Sequence, residues 1–463
     1  MTHQSPMNPQ AAAQRLAAEV LRVIEEARGN RDGHVWLERI EVPVTDLKPL
    51  RWLLSQRQSA RYYWSDRAGQ FEMAGAGDAD VLIPSGPQDL RALFELARGR
   101  LSMNHPSQRY YGGFRFYNRP NRGHKWKSFY QYRFIVPLVE VLRRKGGTFL
   151  CCNLKLGHAS GLDDTRNRAI ECIDSLVWSQ SSPGPLPNFG DREDLPDHRA
   201  WNTMVGKALE AFAANELEKV VLARETTFKA DAEIDPVLLV SHLAEETATA
   251  YEFCFQPVAG RAFLGASPER LYRRENCYLQ SEALAGTRPR GGTDEEDERL
   301  AEDLRNSEKD LREHQFVVRN VRDSLSRFCT ALKVEEGPGV MRLRNCQHLH
   351  TRVEGVLKAN EADAPLLEEL HPTAAVGGWP RDKALEWLTE NEPFDRGVYA
   401  APTGWIGFDA AEFCVAIRSG LVRSDELTLY SGAGIVPGSD AAEEWDEIEN
   451  KLAGFLRILP HAG

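Results

Sequence analysis

Between residues 200 and 216 (AWNTMVGKALEAFAANE) apolar positions return every three to four residues, the period of a helix that packs by one face. KVVLARETTF follows as a nearly unbroken run rich in β-branched residues and reads as a strand. Residues 251–284, YEFCFQPVAGRAFLGASPERLYRRENCYLQSEAL, break into short β-rich pieces at Gly, Pro and Asn, the pattern of successive antiparallel strands. A long helical segment spans about 295–328, and Ser307 with Asp310 three residues on predicts a fresh helix starting there. EFCVAIRSGLV and LTLYSGAGIV read as strands. The last helix is expected from about Asp440 to Leu459, with Leu452, Phe455, Leu456 and Leu459 as its core stripe.

The first half is less regular. Its N-terminus predicts an amphipathic helix rather than a signal peptide, because no continuous apolar stretch is present and acids fall where one would run. RFIVPLVEVL and GGTFLCCNLKL read as strands. In SQSSPGPLPNFGDREDLPD, residues 179–197, Pro, Gly and Ser break every period, which predicts a surface connection. It divides the chain into an N-terminal portion, 1–195, and a second portion, 196–463, within one continuous structural unit. Many antiparallel strands with helices interspersed give an α+β architecture (α/β in the broad sense): a single large unit with an extensive antiparallel sheet core flanked by helices.

Composition narrows the function. A chain of 463 residues, 42% hydrophobic, can bury a large core. The net charge of −11 argues against a nucleic-acid surface, which needs a basic face to displace counterions. A small anion is still possible, since a local pocket can oppose the overall sign. No apolar run reaches the roughly 18 residues of a membrane span. The eight cysteines are scattered, with no CxxC pair for zinc or redox work. A reduced, cytoplasmic protein without membrane or nucleic-acid partners is expected, as a monomer or homodimer.

Several positions could carry chemistry, and each has an ordinary reading beside it. Asp310, Glu313 and Val317 share a helix face, as do Glu444, Glu447 and Lys451. Glu447–Lys451 equally fits a common i, i+4 ion pair worth tenths of a kcal/mol, so spacing does not decide. Gly432, Gly434 and Gly438 precede the last helix, where glycine allows backbone N–H groups to approach an anion, or simply allows a tight strand connection. PTAAVGGWPRD has the same ambiguity. Lys219, at a strand entrance, is a solvated amine unless it lies buried beside a cation, where it could serve as a base. Glu269, between a strand and a Pro-marked turn, is a surface carboxylate unless buried. His348 and His350 would point to one face of a strand, but two ligands without a third argue against a transition metal.

Together these segments resemble one family, the chorismate-utilising enzymes, which include isochorismate, salicylate, anthranilate and aminodeoxychorismate synthases. KVVLAR, GASPERL, SEALAGTRPR, EKDLREH, QHL, LHPTAAVGGWPRD, TGWIG, AIRSG, SGAGIVPGSD and EEWDEIENK carry the resemblance, in order, from about Trp201 to the C-terminus. YYGGFRFYN extends it more weakly into the first half.

The resemblance implies a magnesium-dependent enzyme acting on chorismate. Lys219 matches the base that activates water, and Glu269 the acid that protonates the departing hydroxyl. Glu313 and Glu447 match magnesium (Mg2+) ligands, with Glu444 as a further ligand or water-holder. His348, Arg418, Gly434 and Lys451 match substrate-holding positions, the last three through the substrate carboxylates, and Gly286 and Thr287 line the same pocket. A lysine at the KVVLAR position implies water rather than ammonia as nucleophile. Ala375, where many pyruvate-eliminating members carry threonine, implies that the reaction stops at isochorismate. AIRSG departs from the commoner alanine after serine, and Gly420 there is expected to alter packing rather than chemistry.

Overall fold

The computed structural model describes residues 5–29, 34–86, 89–117, 124–157, 161–180, 182–247, 249–344, 346–358 and 363–461. In chain order its elements begin α1 (Pro9–Ala27), β1 (Trp36–Val44), α2 (Pro49–Leu54), β2 (Arg61–Ser65), β3 (Glu72–Leu82), α3 (Leu90–Arg100), β4 (Tyr110–Phe114), β5 (Tyr132–Arg144), β6 (Gly147–Leu156) and α4 (Leu162–Asp174). Next come β7 (Phe189–Leu195), α5 (His198–Ala213), β8 (Lys219–Ala230), α6 (Pro236–Glu246), β9 (Tyr251–Val258), β10 (Arg261–Ser267), β11 (Arg270–Glu275) and β12 (Tyr278–Pro289). The remainder is α7 (Asp294–Asn306), α8 (Glu308–Ser326), β13 (Cys329–Val334), β14 (Gly339–Arg342), β15 (Cys346–Leu357), α9 (Asp363–Leu370) and β16 (Gly378–Trp379). It closes with α10 (Arg381–Asn391), β17 (Pro402–Ile406), β18 (Ala410–Val415), β19 (Ser419–Arg423), β20 (Glu426–Ile435) and α11 (Ala441–Leu456).

The helices start where the sequence supplies caps. Asp197 accepts from the Ala200 amide, Ser307 from Asp310 and Asp440 from Ala442 and Glu443, so first-turn N–H groups that lack helical partners are satisfied. The predicted break at Ser307 is therefore real, separating α7 from α8.

The strands pair antiparallel in one sheet, and from β5 the pairing runs outward in two long arms, through β3 and through β4, and in a short branch through β6 to β1. One arm passes through β3, β2, β9, β10, β19 and β20 to β8, which β7 and β16 flank. The other passes through β4, β17, β18, β11 and β12 to β15, against which β13 and β14 lie. This is the large antiparallel α+β fold expected from the pattern of strands. One reading needs correction. The segment 179–197 is only half a connection, because its Phe189–Leu195 part pairs with β8 as β7. A bulge between Phe189 and Arg192 accommodates the residues that looked like loop. Pairings of β2 with β9, β4 with β17 and β7 with β8 cross the division at residue 195.

Two buried arginines fix the β8 end of the first arm. Arg224 on β8, fully buried, reaches Glu449 of α11 at 2.5 Å and lies over the Trp445 ring at 4.1 Å, pinning that helix to the strand. Arg396 donates to the carbonyls of Val221 on β8 (2.7 Å) and Val376 (2.8 Å), and pairs with Glu392. Glu392 in turn accepts from the Ala223 amide at 3.1 Å. The start of β8 is thus held from both sides. Glu392→Ala is expected to strand a buried guanidinium without its counter-charge and to lower unfolding free energy by about 3–5 kcal/mol, measured by denaturant titration.

Candidate active site

Lys219 is the first residue of β8 and is 6% exposed. Its Nζ donates to Glu313 Oε1 at 2.9 Å, so a strand of one arm meets the helix that packs on the other arm. Beside this pair runs Gly434 of β20, where a Cβ would come within 3.1 Å of Lys219 Cε and 3.7 Å of Glu313 Oε1. The glycine keeps backbone close to both charges. One register step along, the Gly432 carbonyl accepts from Lys451 Nζ at 2.8 Å, and the same ammonium pairs with Glu447 at 2.6 Å. The i, i+4 pair is therefore present, but its lysine also ties α11 to the glycine strand. Lys219 holds the Glu313 carboxyl below the usual range against its burial, with Lys451 and Lys309 adding to the effect.

Glu269 lies between β10 and β11, where the chain crosses from one arm to the other, and is 7% exposed. Its carbonyl accepts from the Val415 amide at 3.0 Å, and its own amide donates to Ser267 Oγ at 3.3 Å. Burial first, and then the negative charge of Glu282, push its carboxyl up to about 8, against the pull of Lys219 and Lys451. It is the protonated carboxyl of the group at neutral pH, and it feels the same two lysines that Glu313 feels.

On the second arm, Gly286 (φ +71°) forms a bulge between Ala285 and Thr287, which restores Thr287 to register opposite His348. The Gly286 carbonyl lies 3.1 Å from His348 Nδ1, with Thr287 Oγ1 also at 3.1 Å. The carbonyl can only accept, so Nδ1 carries the proton and Nε2 accepts from Arg418 Nη2 at 3.2 Å. Burial, then Arg418, lowers the His348 pKa to about 3, leaving the ring neutral. Arg418 has φ +50° at the second crossing, between β18 and β19, and also reaches Cys346 Sγ at 2.9 Å. Among the described residues no carboxylate pairs with Arg418. Ala375 sits half-buried in the turn that leads into β16, whose Trp379 pairs with Lys219. Gly420 matters for packing, since a Cβ there would meet Leu429 Cδ2 at 2.9 Å.

Two of the three glycines before the last helix belong to a strand rather than to a loop. Gly432 and Gly434 lie inside β20, paired with Ala223 and Val221, and the first amides of α11 are already taken by Asp440. Three neighbours of the site were not singled out from the sequence. Lys309 stands one helical turn before Glu313 in EKDLREH, Cys346 directly precedes QHL, and Glu282 opens the EALAGT motif. Helical spacing could have flagged the first. A cavity of about 800 Å³ elsewhere on the molecule is lined by the 46–54 segment, Arg143 and part of α6, and includes none of these residues.

Among the described residues no three acidic, histidine or cysteine side chains already gather as a metal cage. The donor set nevertheless fits a hard cation. Glu313 and Glu447 are partly exposed carboxylates, each held by a lysine. Glu444 is buried, and burial followed by the Glu447 charge raises its carboxyl pKa, a repulsion that a cation would relieve. An ion that accepts a few carboxylates and keeps waters suits such an all-oxygen set.

Residues 22–460 match the family model of the chorismate binding enzymes. The chain belongs to this family. Among chorismate-binding relatives, it is 32% identical over 499 residues to a chloroplastic isochorismate synthase of Catharanthus roseus, covering 97% of this chain and 85% of that protein. It is 34% identical over 422 residues to an isochorismate synthase of Escherichia coli, covering 91% and 93%. The solved structure of the menaquinone-specific isochorismate synthase from Escherichia coli superposes with a TM-score of 0.84 at 30% identity, covering 97% of this chain and all of that one. In this chorismate-binding chain, Gly434→Ala is expected to push the Lys219 side chain aside by a few tenths of an ångström. Turnover of chorismate should fall about tenfold while Tm stays near that of the wild type, measured by steady-state kinetics and thermal melts.

Proposed function

We propose that the protein is an isochorismate synthase that uses magnesium and adds water at C2 of chorismate while the C4 hydroxyl departs. The observation that carries this reading is Glu269, a buried carboxyl that lies within the field of two lysines and whose burial pushes its pKa up to about 8. A hydroxyl is a poor leaving group, and a positioned acid supplies the proton it needs. Lys219 takes the proton of the attacking water, so proton loss at one side of the ring is matched by proton gain at the other and the product is an isomer. In the resting structure Lys219 is paired with Glu313.

Arg418 offers its guanidinium to a substrate carboxylate, held from behind by neutral His348. Lys451 and the Gly434 backbone line the same space from the first arm. Magnesium, held by Glu313, Glu444 and Glu447, would supply Lewis-acid and charge-neutralising chemistry at the ring carboxylate. Similarity to isochorismate synthases along nearly the whole chain supports the choice of water as nucleophile, as does a lysine at position 219.

Purified protein with chorismate and Mg2+ is expected to yield isochorismate alone, by chromatography of the products, and EDTA should abolish the reaction. Salicylate with pyruvate, formed without a second enzyme, would instead make it a salicylate synthase. Lys219→Ala should reduce kcat by about 10²–10⁴-fold. The pH profile follows from Glu269: the acid form is present below its pKa of about 8 and is lost above it, so kcat should decline on the alkaline side of that value. An alkaline limb absent from the rate profile would remove Glu269 from the role of acid.

A further inference from the structure

Beneath the loop that carries Glu269 lies a second carboxylate, which the chemistry above does not use. Glu282 of β12 has a side chain 2% exposed and receives both terminal nitrogens of Arg67, at 2.5 and 2.8 Å. His350 Nε2 lies 3.1 Å from Oε2, the oxygen that also accepts from Arg67 Nη2. The Arg270 amide donates to Oε1 at 2.9 Å, and Arg67 also donates to the Pro268 carbonyl at 2.7 Å. The two residues on either side of Glu269 in the chain are therefore fastened to this carboxylate and its arginine. Arg67 comes from the turn between β2 and β3, in the first half of the chain.

We propose that Glu282 is a positioning residue whose negative charge, fixed by Arg67 and His350, keeps the Glu269 carboxyl protonated for its role as acid. A buried anion beside a second carboxyl disfavours ionisation of the second. Although burial alone would favour its neutral form, His350 and Arg67 hold the Glu282 carboxyl down to about 2, so the charge persists across the working pH range. Arg270 and Tyr251 also face Glu282, with Arg67 lying over the Tyr251 ring at 5.7 Å. Around Glu269 itself stand Glu282, Lys219 and Lys451, with Tyr399 and Cys414 on the adjoining segments. Of these only Glu282 is an anion at neutral pH, so it opposes the two lysines. The inference rests on Glu269 being the acid of the proposed reaction.

The test compares the kcat–pH profiles of wild type, Glu282→Gln and Glu282→Asp with chorismate and Mg2+, alongside thermal melts. Glutamine keeps the shape and removes the charge, whereas aspartate keeps the charge. The alkaline limb should move toward acid by about one pH unit in E282Q and stay near the wild-type position in E282D. A lower kcat in E282Q with the limb unmoved would assign Glu282 to structure and overturn the proposal. Loss of folded protein in both variants would overturn it in the same way. A wild-type profile without an alkaline limb would overturn the reading of Glu269 itself, and this inference with it.

Discussion

Two of the places where the chain passes from one arm of the sheet to the other, residues 267–270 and 415–419, lie side by side, and backbone hydrogen bonds lock them together. The Val415 amide donates to the Glu269 carbonyl at 3.0 Å, and the Ala266 amide to the Arg418 carbonyl at 3.1 Å. Strands before and after each crossing pair with their counterparts, β10 with β19 and β11 with β18. Glu269 and Arg418 thus belong to no strand and are held by four. Such a position is rigid yet released from the alternation of a ladder, which is what a buried acid and a left-handed arginine require.

Electrostatics inside the site run against the whole molecule. The protein carries a net charge of −11, yet Lys219, Lys309, Lys451 and Arg418 converge on one region. Two glutamates there are driven to opposite states. Glu313 meets an ammonium directly and is held ionised, whereas Glu269 is buried with a second carboxylate behind it and keeps its proton. Pairs of carboxyls pushed apart in this way mark a division of labour between charge-holding and proton-donating groups. The neutrality of His348 belongs to the same design, because a charged ring would repel Arg418.

Much of the architecture was legible from periodicity. The helix after residue 197, the strand KVVLARETTF, the four strands of 251–289 and the helix break at Ser307 all follow from local patterns and caps. Segment 189–195 was not legible, because its polar, Gly-containing sequence, bounded by Pro187 and Pro196, becomes a strand only where β8 offers a free edge. The glycines of SGAGIV were ambiguous for a related reason. Both a loop and a strand tolerate glycine, and their place in β20 is decided by Lys219 and Lys451 crowding the backbone there.

By itself the sequence determined the element types, the helix starts, the family resemblance and the set of residues capable of acid–base and metal chemistry. It could not determine which carboxylate is protonated, since that depends on burial and on charges brought from elsewhere in the chain. Glu269 and Glu313 are the same residue type, one in a strand connection and one inside a helix, and only the fold sets the first beside Glu282 and the second beside Lys219. Nor could it assign Arg67, 215 residues from its partner, to the site. Charge states follow from distances of a few ångströms between distant segments, and those distances exist only after the two arms close.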